Sequence, residues 1–170
     1  DLMSDREQKG DVNGLTIAIV GDIAHSRVAR SDIALFSKMG ADVRITAPRT
    51  MIPSGVESMG CKVFPDMESC VQGVDVVMML RIQKERQENV LFPSEREYAA
   101  EFGLNMKRLK LAKPSALVMH PGPMNRGVEI TNEVADCGQS VILEQVTNGV
   151  ALRMALFYLV AGGGRANDSN

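Results

Sequence analysis

The stretch Val74-Asp75-Val76-Val77-Met78-Met79-Leu80 is apolar except for Asp75, and it stops abruptly at Arg81-Ile82-Gln83-Lys84-Glu85-Arg86. A strand with one wet face alternates polar and apolar residues. Near-continuous apolarity instead demands burial on both faces, the condition of a parallel sheet under helices. It also confines polar chemistry to the strand ends, because ligands of open α/β sheets sit outside the carboxyl ends of the strands.

The rest of the chain repeats this alternation. Strand patterns fall at residues 15–20, 41–47, 62–64, 74–80, 115–119 and 140–143. Between them lie helical patterns at 28–39, closed by Gly40, at 53–59, and at 67–72, capped by Asp66. Further helices are expected at 94–102, 106–112, 131–135 and 145–160. The expected fold is a doubly wound three-layer α/β/α domain with a mostly parallel sheet of about four to five strands. Residues 1–14 read as the end of an interdomain helix plus a linker, with 1–3 as that helix's last turn. Residues 15–161 form the domain, residues 81–93 a long loop, and 162–170 a flexible tail.

Composition removes several function classes. Lys plus Arg number 19 against 21 Asp plus Glu, a net charge of −2 with no basic footprint for nucleic acid. Trp is absent, so stacking platforms for single strands are not expected. The apolar stretch 150–161 carries Arg153 and is too short to span a bilayer, so no membrane partner is expected. Cys61, Cys70 and Cys137 have no paired spacing and read as packing thiols in a reducing, cytoplasmic setting. With two distant His they form no metal pattern.

Three strand ends carry chemistry. The first is Gly21-Asp22-Ile23-Ala24-His25-Ser26-Arg27. It has a single glycine where a dinucleotide loop needs three, and no phosphate loop of the Gly-Lys-Ser/Thr type occurs elsewhere. Arg27 stands at a helix start, where backbone N–H groups favour anions; the alternative is a plain helix-end contact. The second end offers Arg81 and Gln83 two residues apart. A guanidinium grips a carboxylate or phosphate with two parallel bonds, and the alternative is a solvated turn. The third is His120-Pro121-Gly122-Pro123, where two prolines supply no N–H and the turn presents carbonyl oxygens to a ligand NH2. A rigid turn, with or without a cis proline, is the alternative. Arg126 and Glu129 follow; Glu129 either orients an arginine or begins the next helix. No Ser or Cys has an evident His partner, so no hydrolytic triad is expected. Together the ends suit a small ligand with more than one carboxylate.

These residues also resemble a known family. Gly21-Asp22 with His25-Ser26-Arg27, Met79-Leu80-Arg81-Ile82-Gln83-Lys84-Glu85-Arg86, and His120-Pro121-Gly122-Pro123 with Asn125-Arg126-Gly127-Val128-Glu129-Ile130 are similar to the aspartate-binding half of aspartate carbamoyltransferase. The resemblance runs from Asp1 to about Leu159. The sister ornithine enzymes lack the Arg-x-Gln-Lys-Glu-Arg block, as suits a substrate that brings its own ammonium group. The resemblance implies L-aspartate and carbamoyl phosphate as substrates in de novo pyrimidine biosynthesis, with no cofactor and no metal. Arg27 and Arg81, aided by Gln83, would hold the two aspartate carboxylates. The carbonyls of Gly122 and Pro123 would receive the carbamoyl NH2. His120, Glu85, Arg86, Arg126 and Arg153 would support the site or domain closure; a snorkelling side chain is the alternative for Arg153. The family's N-terminal carbamoyl-phosphate domain is not among these residues. The implied partners are therefore that domain, a homotrimer of the full enzyme, and regulatory or dihydroorotase subunits as further candidates. The chain alone is expected to be inactive. The rival expectation is a non-catalytic dicarboxylate- or partner-binding module.

Overall fold

The computed structural model describes residues 2–82 and 94–161, apart from the side chains at 2, 3 and 6. Five parallel strands, β1 (Thr16–Val20), β2 (Asp42–Thr46), β3 (Cys61–Val63), β4 (Val76–Met79) and β5 (Leu117–Met119), form one sheet in the order β3-β2-β1-β4-β5. The helices are α1 (Leu2–Lys9), α2 (Arg27–Lys38), α3 (Met67–Val71), α4 (Glu95–Phe102), α5 (Met106–Leu109), α6 (Asn132–Ala135) and α7 (Ile142–Val160). The expected α/β architecture with a parallel sheet is present.

Every residue of β4 and β5 is buried, as are Ile17 to Val20 of β1. Successive strand side chains point to opposite faces, so both faces of the sheet's centre are covered. Each strand residue shares this core with a neighbour in register: Ile17 sits beside Val43 on one side and Val76 on the other. Asp75, the one polar residue of the apolar run, stands at the dry strand's amino end. It accepts the Thr16 N–H at 3.0 Å and Lys113 Nζ at 2.8 Å. Burial works to raise its pKa, but these bonds hold it below the usual carboxylate range.

Local chemistry sets the helix starts. The Ser26, Asp66, Ser94 and Asn105 side chains each accept a first-turn N–H of the helix that follows, the exchange that satisfies otherwise orphaned donors. The helix expected at 53–59 is instead a single short 3₁₀ turn, Val56–Met59, and a second such turn, Arg49–Met51, precedes it. The first helix continues to Lys9 rather than ending at residue 3. It is held against α7 by Asn148, which donates to Ser4 Oγ and Glu7, and by Gln8, which donates to Glu144.

The strand expected at 140–143 does not form. Ser140 makes one isolated bridge to Val118, and α7 begins at Ile142, three residues before the expected start at 145. Val141 and Ile142 are buried, so their apolarity serves core packing at a helix start and not a sixth strand. The early start places Gln145 over the end of β5, where its Oε1 accepts the His120 N–H at 2.9 Å.

Asp5 of α1 and Asp32 of α2 are buried. Both oxygens of Asp5 and Oδ2 of Asp32 have no hydrogen-bond partner among the described residues. Burial pushes each pKa up to about 7, and the charge of Asp5 adds to the rise at Asp32. The folded chain therefore keeps protons that the unfolded chain loses near pH 4, so these groups make stability fall as pH rises from about 4 to about 7. His120, held neutral down to about pH 4, acts in the opposite direction between about 4 and 6.5, so the comparison must be made within one site. Asp32→Asn is expected to raise the melting temperature more at about pH 8 than at about pH 5. Equal shifts at the two pH values, by scanning calorimetry, would refute the raised pKa.

Candidate functional site

From β1 the chain builds outward through β2 to β3, then returns to the other side of β1 as β4 and continues to β5. The boundary between β1 and β4 is thus the topological switch point, where the crevice of an α/β sheet opens beyond the carboxyl ends of the strands. The ends that meet there are Gly21-Asp22 after β1 and Leu80-Arg81-Ile82 after β4, with His120-Pro121-Gly122-Pro123 beside them after β5. The first two approach closely. A Cβ at Gly21, whose φ is +127°, would lie 2.9 Å from Leu80 Cβ and 3.0 Å from Leu80 O. Only glycine fits that backbone and that approach.

Beyond β1, buried Asp22 accepts the His25 backbone N–H at 3.1 Å and faces His25 Nδ1 at 2.9 Å. That pair shapes the turn leading to Ser26, whose Oγ accepts the Ala29 N–H at 3.1 Å and starts α2. Arg27 is consequently the first helical residue. It is exposed, and no ion pair to it occurs among the described residues. Beyond β4, Arg81 is half-buried. The two arginines therefore stand beyond the two strands that flank the switch point, Arg27 at the start of α2 and Arg81 directly after Leu80.

Glu129 binds the second and third strand ends together. It is fully buried, and its carboxylate accepts the Ile82 N–H at 2.7 Å, the Asn125 N–H at 2.8 Å and Asn125 Nδ2 at 2.7 Å. Burial raises its pKa, and these bonds partly offset the rise. One oxygen thus fixes the backbone immediately after Arg81 while the other fixes the segment after the proline turn. Buried Tyr98 of α4 lies close enough to feel the charges of Glu129 and Asp22, and its pKa is raised, chiefly by burial.

His120 opens the proline turn. Its ring is fully buried, and Nδ1 accepts the Gly122 N–H at 2.9 Å. Burial, with the nearby Arg81 charge, lowers its pKa to about 4, so the ring is neutral at ordinary pH. Nε2 has no hydrogen-bond partner among the described residues; an orphaned buried donor costs about 1–3 kcal/mol. The Gly122–Pro123 peptide is cis. Pro121 and Pro123 have no N–H and that of Gly122 is spent on His120, so the turn presents carbonyl oxygens without free donors of its own.

The structure brings Arg27, Arg81, His120, Gly122 and Pro123 to one edge of the sheet. Gln83, Glu85 and Arg86 lie outside the described residues. Arg126, expected as a supporting or closure residue, is engaged on the surface: its guanidinium grips Asp136 with two bonds of 2.8 Å each. Arg153 lies on the exposed far end of α7, eight residues and about 12 Å along the helix from Gln145. Of the two readings of Glu129, a helix start is excluded, because α6 begins at Asn132 behind Thr131. Gln145, Asn125 and Tyr98 were missed as parts of the site's frame. A Gln in the first turn of an apolar helix is a weak signal, and nothing local marks the other two. The thiols behave as expected: Cys61 and Cys70 are buried and Cys137 half-buried, all free, with burial pushing Cys70 up to about 12. Among the described residues no group of His, Cys, Asp and Glu could hold a metal ion, and no helix is long and apolar enough to cross a membrane.

Residues 13–160 match the family model described as aspartate/ornithine carbamoyltransferase, Asp/Orn binding domain. The aspartate carbamoyltransferase catalytic subunit of Desulforapulum autotrophicum is 72% identical over 169 residues, covering 99% of this chain and 54% of that protein. The catalytic subunit from Syntrophotalea carbinolica is 59% identical with the same coverage. The chain thus spans about half the length of the curated relatives it matches. Among solved structures, ornithine carbamoyltransferase from Pyrococcus furiosus superposes with a TM-score of 0.80 at 29% identity, covering 96% of this chain and 55% of that one. Aspartate transcarbamoylase from Trypanosoma cruzi, in complex with N-(phosphonacetyl)-L-aspartic acid, gives 0.77 at 25%, covering 93% and 53%.

Glu129→Gln keeps the shape but turns an NH2 donor toward an N–H that needs an acceptor. It is expected to destabilise the fold by about 2–3 kcal/mol, read as a lowered denaturation midpoint at unchanged slope. An unchanged midpoint would show that the carboxylate is not the tie between the two strand ends.

Proposed function

The chain belongs to the aspartate/ornithine carbamoyltransferase family, and we propose that it is the aspartate-binding half of an aspartate carbamoyltransferase. The observation that carries this is the placement of Arg27 and Arg81 on either side of the switch point, with the donor-free proline turn beside them. Two guanidinium groups suit a substrate with two carboxylates, each gripped by parallel hydrogen bonds. Ornithine, with an ammonium side chain, would meet the wrong charge. The T. cruzi relative bound to N-(phosphonacetyl)-L-aspartic acid and the high identity to aspartate carbamoyltransferase catalytic subunits support the choice.

In this reading the aspartate amine attacks the carbamoyl carbon of carbamoyl phosphate. A C–N bond forms, the C–O bond to phosphate breaks, and the amine's proton passes to the departing phosphate. Arg27 and Arg81, with Gln83, orient the aspartate, while the carbonyls of Gly122 and Pro123 accept the carbamoyl NH2 and turn its carbon toward the amine. Positioning and charge stabilisation supply the rate, and no covalent intermediate is needed. The product, N-carbamoyl-L-aspartate, serves pyrimidine synthesis in the cytoplasm. Residues 15–161 act as the aspartate domain.

Groups that hold phosphate and polarise the carbonyl would come from a second half with the carbamoyl-phosphate loop, in a trimer. The far end of α7 fits that dependence. Every residue from 151 to 161 is exposed there, with Phe157 at 75% and Val160 at 85%, more apolar surface than a monomer normally leaves wet. Arg153 lies on this stretch, where the second half would bring it into use.

Carbamoyl-aspartate formation is the direct test. The chain alone is expected to give none, and its mixture with the carbamoyl-phosphate half from a relative is expected to give activity that Arg81→Ala lowers about a hundredfold or more. Turnover by the chain alone, or an Arg81→Ala mixture as active as the parent, would overturn this reading. Aspartate should bind the chain alone no more tightly than about 1 mM, because exposed ion pairs contribute under about 1 kcal/mol each. A micromolar constant by calorimetry would contradict that half-site.

A further inference from the structure

One ring nitrogen at the strand ends is left over by the assignments above. His120 Nδ1 accepts the Gly122 N–H, and an accepting ring nitrogen carries no proton. The ring is neutral, so its single proton sits on Nε2. That N–H is buried and has no acceptor among the described residues, although nearly all buried polar groups in folded proteins are paired. The ring cannot relieve this by changing tautomer, because a proton on Nδ1 would face the Gly122 N–H. It is also held in place from the backbone, since the His120 N–H is bound by buried Gln145. The charged neighbour whose field reaches the ring is Arg81, whose guanidinium only donates. An acceptor for Nε2–H must therefore come from outside this set, and a group that meets a guanidinium and an imidazole N–H together is an anion.

We propose that His120 Nε2–H is a second donor to the carboxylate that Arg81 holds, and so a specificity-determining contact for the dicarboxylate substrate. This rests on the aspartate reading above. A carboxylate offers about four acceptor directions on its two oxygens, enough for a guanidinium and one further N–H. The contact forms when the ligand carboxylate drawn in by Arg81 reaches the ring. A neutral donor adds direction without adding charge, so it selects for an oxygen placed correctly and not for any anion. The same ring ties carboxylate recognition to the turn that receives the carbamoyl group: Nε2 donates to the ligand while Nδ1 holds Gly122, and each bond strengthens the other.

The test is a long-range proton–nitrogen correlation spectrum of the imidazole rings, recorded on this chain during titration with L-aspartate. The expected result is protonated Nε2 and bare Nδ1 in His120 at neutral pH, with the Nε2–H proton moving downfield as aspartate binds. His120→Asn keeps an oxygen for the Gly122 N–H but loses the donor. It is expected to weaken aspartate binding about tenfold while staying folded by circular dichroism. His120→Gln restores a donor near the Nε2 position and should recover most of that loss. A proton on Nδ1, an Nε2–H signal indifferent to aspartate while Arg81-dependent shifts appear elsewhere, or equal losses in the two variants would overturn the proposal and leave the aspartate reading standing. An aspartate response that survives Arg81→Ala, or no response at all, would remove the aspartate reading and this contact with it.

Discussion

The two-sided burial of β1, β4 and β5 is the constraint from which the rest follows. No polar side chain can project from the middle of these strands without losing its water, so their chemistry is expelled to the carboxyl edge. The parallel arrangement puts all the carboxyl ends on one side, and the strand order splits the connections between β1 and β4. Arg27 and Arg81 stand at one edge of the sheet because of that topology, although fifty-four positions of sequence separate them. The backbone at that junction approaches so closely that glycine is required at position 21.

The edge is then organised by two buried groups that brace it from within. Glu129 uses both oxygens to join the end of β4 to the loop after β5, at a desolvation cost that its three bonds partly offset. His120 uses Nδ1 to consume the single N–H of the proline turn. Removing donors is as informative as adding them: a turn that shows only carbonyl oxygens favours an NH2-bearing ligand, while the adjoining arginines favour carboxylates. Acceptors and donors are thus segregated on neighbouring strand ends.

The long helix α7 belongs to two environments. Its first turn is core, with Ile142 and Gln145 buried and the latter reaching His120. Its last eleven residues are exposed on every side. Asn148 and Glu144 meanwhile tie it to α1. The helix is thus anchored in the core by one end and leaves an apolar surface at the other.

The sequence by itself determined the fold class and the strand ends that matter. Apolar runs without alternation admit few architectures, and arginines immediately after them have only one edge to occupy. It also determined the cap at Asp66, because capping is settled within four residues. Other features had no local signature. Residues 140–143 have the composition of a strand, yet a helix begins within them because Val141 and Ile142 are needed against the core and Gln145 over His120. That Arg126 is gripped by Asp136, ten positions away, has no signature in the local sequence. Whether Glu129 served an arginine, a helix or two loops depended on Ile82, forty-seven residues earlier. Hydrogen bonds between strand ends join residues far apart in the chain, and periodicity carries no information about them. The tertiary structure alone decided which polar atoms were paired and left His120 Nε2 without an acceptor among the described residues.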